Sequence, residues 1–155
     1  MDTIERLAAI EEIAQVKARY FRCLDTKDWD GFADVFTSDA RMDMSGELRG
    51  RAAPGAGITT GRLEIAAFVR SMVGDVTTVH HGHTPEIDVT SETHATGIWA
   101  MEDMLRWPSG APLASMHGYG HYHDTYEKAD GRWRIRSTTL TRLRVDVETA
   151  AGTRP

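Results

Sequence analysis

The feature that most constrains the fold is a change in hydrophobic periodicity about halfway along the chain. From Asp2 to Leu24 the apolar residues recur at three- and four-residue steps, which is the spacing of one face of an α-helix. From Thr77 onward, β-branched and aromatic residues alternate with polar ones, which is the pattern of half-buried strands. The chain therefore places its helices first and its strands afterwards.

Three helices are predicted in the first half. Asp2 and Glu5 have the spacing of a capping box at the start of the long first helix. Shorter amphipathic helices are predicted from Trp29 to Phe36 and from Leu63 to Met72. The stretch from Ser45 to Gly61 is rich in Gly, Ala, Pro and Arg, and is interpreted as a loop or a poorly formed hairpin.

Four strands are predicted in the second half, with Asp130-Gly131 tightening the last hairpin. They run roughly from Val79 to Val89, His94 to Trp107, Leu113 to Glu127 and Arg132 to Asp146. Helices followed by a meander of strands indicate a segregated α+β domain, in which the helices cover one face of a curved sheet. We expect one cone-shaped domain over residues 1–150, with an apolar interior, and a frayed tail at 151–155.

Composition narrows the classes of partner. The net charge is −5 and the Lys and Arg residues are dispersed, which argues against a nucleic-acid surface. No apolar run is long enough for a membrane helix, and the first residues lack a signal-peptide pattern, so a cytoplasmic protein is expected. Cys23 is the single cysteine, so no internal disulfide can form, and it is interpreted as a core residue.

Tyr20 and Asp25 lie near the end of the first predicted helix. From the residues alone, Tyr20 is interpreted as a core residue with its hydroxyl at the rim, and Asp25 as a cap of the following helix. A pocket role for both is the alternative.

His80, His81 and His83 form a dense cluster on the first long predicted strand. Alternation sends His81 and His83 to one face of the strand and His80 to the other, so only one side can face a pocket. A histidine held by a carboxylate is a plausible general base near neutral pH. Taken singly, each is more often a surface or a satisfied histidine.

Glu102 and Asp103 interrupt an apolar strand, so one of the two carboxylates is expected to point inward. A buried carboxylate needs a partner such as His or Arg, and a surface charge is the open alternative. On the last strand five arginines share one parity if no bulge intervenes: Arg132, Arg134, Arg136, Arg142 and Arg144. The default is a solvated cationic face, but an arginine turned inward suits a buried carboxylate.

A rival interpretation is a metal site. His121, His123 and Glu127 fall on one face of a strand, a spacing also found in cupin metal motifs. The flanking glycines of that motif are missing, and a long first helix does not suit a jelly roll. No bound metal is therefore expected.

Several stretches together resemble the bile-acid dehydratases of the nuclear-transport-factor-2-like superfamily, which also includes scytalone dehydratase and SnoaL cyclases. They are KARYFRCLDTKDWD at Lys17 to Asp30, HHGHTPEI at His80 to Ile87, SETHATGIW with the following ED at Ser91 to Asp103, and YEKADGRWRI at Tyr126 to Ile135.

The resemblance implies a cystatin-like or SnoaL-like cone, active without metal or organic cofactor and assembled as a dimer or trimer. It implies catalytic roles for Tyr20, Asp25 and His80, and pocket roles for Asp103 and Arg142. Trp99 and Met101 are expected to accept the apolar body of the substrate. An additional pocket tyrosine of the family has no clear counterpart between Arg41 and Gly46, where Met44 is nearest, and His117, His121 and His123 lie outside the family pattern.

The expected activity is loss of water from a small hydrophobic carbonyl compound of steroid, terpenoid or aromatic-polyketide type. His80, polarised by Asp25, is expected to remove the proton. The same pocket chemistry suits a double-bond isomerase or a polyketide cyclase. A noncatalytic subunit, such as the β subunit of a ring-hydroxylating oxygenase, is the alternative outside enzymes.

Overall fold

The computed structural model describes residues 1–48 and 56–150 of the chain. Its elements, in chain order, are α1 (Thr3–Asp25), α2 (Trp29–Asp34), β1 (Phe36–Asp43), a short 3-10 helix (Ser45–Leu48), β2 (Ile58–Thr60), α3 (Arg62–Val73), β3 (Thr77–Val89), β4 (His94–Arg106), β5 (Leu113–Ala129) and β6 (Arg132–Thr149). The predicted tail at 151–155 lies outside the described residues.

One six-stranded sheet has the order β2-β1-β6-β5-β4-β3. The four long strands β3 to β6 form an antiparallel meander, whereas β1 runs parallel to β6. The sheet is curved and unclosed, and α1 packs against β3 and β6. This arrangement confirms the predicted α+β fold with N-terminal helices on a curved, mixed sheet.

The predicted local signals account for the main elements. Asp2 and Glu5 form the capping box of α1, and one face of that helix is buried. Asp130 and Gly131 both have positive φ, as a tight two-residue hairpin turn requires. Along β4 buried and more exposed residues alternate, because one face of the strand lies on the core.

Two strands were missed by the sequence interpretation. Phe36, assigned to the second helix, begins β1, and that helix ends at Asp34. Strand β2 lies inside the stretch interpreted as a loop or a poorly formed hairpin, and pairs antiparallel with β1 through Arg41 and Thr60. Residues 49–55 of that stretch lie outside the described residues.

Within residues 1–48 and 56–150, none of the helices combines the length and the apolar character that crossing a membrane requires.

Candidate active site

The inner face of the sheet and α3 enclose a cavity of about 90 Å³. Its polar end contains Tyr20, His80, Asp103, Tyr122 and Arg142. The remaining wall is apolar and comes from α1, β1, α3 and three of the long strands: Leu24, Met42, Met44, Phe68, Val69, Met72, Val73, Leu105, Met116 and Leu140. A few polar groups at one end of an apolar cavity are typical of a small-molecule site.

Asp25 and His80 form a hydrogen-bonded dyad at the polar end. The ring Nδ1 of His80 lies 2.6 Å from Asp25 Oδ1. The backbone N–H of His80 donates to Asp25 Oδ2 at 2.8 Å, and the hydroxyl of Thr78 donates to Oδ1 at 2.9 Å. These three contacts fix the carboxylate at the end of α1 and orient the imidazole on β3.

The electrostatics of the dyad favour a charged Asp25. Burial opposes ionisation of this carboxyl, but the hydrogen bonds from His80 and Thr78 hold the pKa of Asp25 below its ordinary value of 3.8. The predicted cap of the following helix is wrong, because Asp28 accepts the hydrogen bond from Gly31 at the start of α2.

Strand alternation was predicted correctly around His80. Its side chain is 7% exposed, whereas those of His81 and His83 are 51% and 57% exposed. The ring of His80 lies parallel to that of Phe21, with 6.4 Å between centroids. His80 is therefore the member of the cluster that reaches the cavity.

Asp103 and Arg142 form a buried ion pair beside the dyad. The guanidinium donates from Nη1 to Asp103 Oδ1 at 2.8 Å and from Nη2 to Oδ2 at 2.7 Å, which is a bidentate pair. His80 Nε2 lies 4.0 Å from Asp103 Oδ2. The expectation that one of Glu102 and Asp103 points inward with a His or Arg partner is confirmed, and the inward residue is Asp103.

Bulges decide which arginine turns inward, so the shared parity of the five arginines, expected only for a strand without bulges, does not hold. The register between β5 and β6 shifts at Tyr119/Gly120 and again at Thr125/Tyr126. Arg142 consequently lies on the inner face, while Arg144 is 71% exposed two residues later. Near the start of β6, Arg134 is also largely buried.

Tyr20 and Tyr122 place a pair of phenol side chains in the cavity wall. Their ring centroids lie 5.7 Å apart, and the two rings meet edge to face. Burial raises the pKa of both phenols, so both hydroxyls are neutral donors near neutral pH. Tyr122 was not singled out from the sequence as a cavity residue, although its even spacing from Asp124 and Tyr126 on one strand face is a usable signal.

Two residues expected to bind substrate do not line the cavity. Trp99 is buried and its indole N–H donates to the hydroxyl of Tyr126 at 2.9 Å. Met101 is buried, and its Sδ lies 3.7 Å from Nη1 of Arg142. Met44, the nearest counterpart of the missing family tyrosine, lies just after β1 and does line the cavity, together with Met42 of β1.

The histidines of β5, which are His117, His121 and His123, lie on the face of the sheet that points away from the cavity. His117 Nε2 lies 2.9 Å from Glu102, and His123 Nε2 lies 3.1 Å from the hydroxyl of Thr141. Glu127 accepts a hydrogen bond from Arg136 at 2.6 Å. In the part of the chain that the structure describes, no three His, Cys, Asp or Glu side chains are arranged to hold a metal ion.

Gly118 makes room for the buried ion pair. It lies opposite Asp103 on the neighbouring strand, and a Cβ at this position would overlap both Asp103 Oδ1 and Arg142 Nη1. We expect Gly118→Ala to lower the free energy of unfolding by about 1–3 kcal/mol through overpacking, measured by urea unfolding. In an Asp103→Ala/Arg142→Ala background the penalty should disappear, and an equal penalty in both backgrounds would contradict this account.

Fold and cavity together define a class: an α+β cone with a His–Asp dyad whose histidine lines an interior cavity. The SnoaL-like domain family model matches residues 5–139, and the chain belongs to this family. The suspected membership in the SnoaL-like superfamily is thereby confirmed.

Individual relatives fit this assignment. The chain is 26% identical over 139 residues to a probable cyclase of Gibberella zeae, covering 84% of this chain and 89% of the relative. A structure from Novosphingobium aromaticivorans that carries the provisional name scytalone dehydratase matches with a TM-score of 0.79 and 24% identity, over 99% of this chain and all of the other. A type 2 hexachlorocyclohexane dehydrochlorinase matches with a TM-score of 0.79 and 17% identity, over 99% and 98% of the two chains. At these identities the two structures show the fold alone.

Proposed function

We propose that this protein is a dehydratase that removes water from a small hydrophobic carbonyl compound, with the His80–Asp25 dyad as its acid–base machinery. The observation that supports it most is the 2.6 Å contact between His80 Nδ1 and Asp25, which leaves Nε2 of a buried ring toward the cavity. Relatives named cyclase, dehydratase and dehydrochlorinase support a lyase-type enzyme in general.

The first step is proton abstraction. His80 Nε2 takes the proton from the carbon next to the carbonyl, and the electron pair of that C–H bond moves to the carbonyl oxygen to give an enolate. Asp25 stays ionised and stabilises the imidazolium that forms. The hydroxyls of Tyr20 and Tyr122 are neutral donors that can stabilise the oxyanion as it develops.

The second step is loss of the hydroxyl group. The enolate re-forms the carbonyl, the C–O bond at the β-carbon breaks, and a carbon–carbon double bond forms. His80 returns its proton to the departing hydroxide, so that water leaves and the dyad is regenerated. The Asp103–Arg142 pair orients the substrate and fixes the space around His80 Nε2.

The cavity limits the substrate. Its volume of about 90 Å³ is well below the roughly 300–1,000 Å³ of sites for drug-sized ligands. A steroid or another fused-ring ketone therefore fits only if lining side chains move. Four of these side chains are methionines, which are unbranched and adapt readily: Met42, Met44, Met72 and Met116.

The proposal is tested by screening purified protein against hydroxy ketones of increasing size, from one-ring compounds to steroids, and following the loss of water by mass. We expect wild-type turnover, and for Asp25→Asn a loss of roughly 100-fold or more in kcat, because the dyad loses its charge. Asp30→Asn, at an exposed aspartate of α2, is the matched control and should retain activity.

Stability against acid provides a second readout for Asp25. Its folded pKa lies below the ordinary value, so this carboxylate stabilises the fold above pH 3.8, and that contribution is lost as the pH falls through the folded pKa. Asp25→Asn should therefore lack this part of the acid-induced loss of stability. Turnover that survives Asp25→Asn unchanged would rule out the dyad mechanism.

A cyclase is the second candidate, supported by the relative of that name in Gibberella zeae. Conversion of a panel compound without change of mass would favour a cyclase or an isomerase over a dehydratase. Cytoplasmic location, assembly into dimers or trimers and the absence of a nucleic-acid partner stay predictions from the sequence.

A further inference from the structure

The most unusual group outside the proposed dyad is a lysine buried in the core. The side chain of Lys17 on α1 is fully inaccessible, and its ammonium donates to Asp124 Oδ2 at 2.8 Å. Asp124 is equally inaccessible, and its Oδ1 has no hydrogen-bond partner among the described residues. Burial lowers the pKa of Lys17, and Asp124 opposes that shift.

Stability alone does not explain such a pair. Removing two charges from water costs several kcal/mol per ion, and an apolar pair of similar volume is often as stable or more so. Asp124 also accepts a hydrogen bond from Tyr126, which in turn accepts one from Trp99. Lys17, Asp124, Tyr126 and Trp99 therefore form one chain of buried hydrogen bonds.

The ammonium of Lys17 also contacts the rings of the two cavity phenols, Tyr20 and Tyr122. Its ammonium lies 3.8 Å from the ring centroid of Tyr122 and 4.4 Å from that of Tyr20. A cation at this distance from a ring face is held by the π electrons, and more strongly where water is excluded. Lys17 does not line the cavity itself, so any effect on substrate passes through these two rings.

We propose that Lys17 is a positioning residue, which holds Tyr20 and Tyr122 by their ring faces and neutralises Asp124 so that both hydroxyls can bind an oxyanion in the cavity. The inference relies on the proposed function for the role of that oxyanion in turnover. Without the ammonium, the rings lose their contact and the charge of Asp124 acts on Tyr20 unopposed. The negative charge of Asp124 already contributes to raising the pKa of Tyr20.

The experiment compares Lys17→Met, Lys17→Met/Asp124→Asn and a surface control, Lys128→Met, whose lysine pairs with Glu12 on the exterior. The probe is p-nitrophenol, because its absorbance distinguishes the bound phenolate from the phenol and requires no turnover. Thermal melts and kcat and KM on any panel substrate are measured alongside.

We expect Lys17→Met to lose stability, because it leaves Asp124 buried and unpaired, and the double variant to regain most of it. The double variant should still bind the phenolate about tenfold more weakly than wild type. Its kcat should fall by a similar factor, and its KM should change little. This loss is smaller than the roughly 100-fold effect of removing an oxyanion donor outright. Lys128→Met should match wild type. If the double variant does not fold, Lys17→Gln keeps a donor to Asp124 without the charge and serves for the same comparison.

The first two outcomes below test the role of Lys17, and the third separates that role from the dehydratase proposal. If a folded double variant binds the phenolate as tightly as wild type and keeps the wild-type kcat, Lys17 is only structural and the inference is overturned. Failure of wild type to bind the phenolate would overturn it as well. Phenolate binding that depends on Lys17, in a protein that converts no panel compound, would uphold the inference while the dehydratase proposal fails.

Discussion

His80→Ala is expected to lower kcat by roughly 100- to 10,000-fold, the range that a positioned general base contributes. Its effect on stability should be modest, because Asp25 keeps its hydrogen bonds from the backbone N–H of residue 80 and from Thr78. The measurement is kcat and KM on the substrate identified by the panel, together with a thermal melt of each variant.

His81→Ala is the matched control, since His81 is the next residue on the same strand and points to solvent. It should retain wild-type kcat. A similar loss in both variants, or a fall in activity of His80→Ala that follows a large fall in its melting temperature, would assign His80 a structural role instead.

The sequence predicted the elements whose signals are local. The capping box of α1 and the Asp130-Gly131 turn depend on residues a few positions apart, and both are present in the structure. Strand alternation also separated His80 from His81 and His83, and predicted that one of Glu102 and Asp103 points inward. Both patterns are observed, but alternation left open which face of each strand is the inner one. These inferences need no knowledge of which elements meet in space.

Strand β1 could not be predicted in the same way. Its sequence FTSDARMD contains two aspartates and an alanine, which have low strand propensity. It becomes a strand by pairing in parallel with β6, almost a hundred residues later in the sequence. Met42 in β1 and Met44 just after it line the cavity. Their positions therefore depend on tertiary structure rather than on a local sequence pattern.

The side chains of the site depend on bulges and packing that no periodicity reveals. Arg142 and Arg144 share a parity in sequence, yet a register shift between β5 and β6 separates them. Lys17 lies on the apolar face of α1, where a sequence pattern gives no reason to expect a buried charge. Trp99 has the alternation of a cavity residue, but its indole N–H donates to the hydroxyl of Tyr126 and it does not line the cavity.

The dyad by itself does not explain why its neighbours are charged. Asp103 is 4% exposed at its side chain, and it lies 4.0 Å from His80 Nε2. A lone carboxylate at such a depth would compete with substrate for His80, whereas Arg142 occupies both of its oxygens. In the proposed mechanism, the ion pair orients the substrate beside His80, and that role needs both partners.

Arg142→Met is expected to cost about 3–5 kcal/mol of unfolding free energy, because it leaves the buried carboxylate of Asp103 without its bidentate partner. The measurement is urea unfolding at neutral pH. Arg144→Met is the matched control: this arginine is two residues away and 71% exposed, so its loss should change stability by less than about 0.5 kcal/mol.

The double variant Asp103→Leu/Arg142→Met separates the stability of the pair from its function. Removing both charges should recover much of the lost stability, since the desolvation cost of the carboxylate disappears with its charge. Turnover should stay low, because no charged wall then orients the substrate against His80. A double variant that regains both stability and wild-type kcat would show that the pair serves only the fold, and a single Arg142→Met variant as stable as wild type would contradict the buried-charge argument itself.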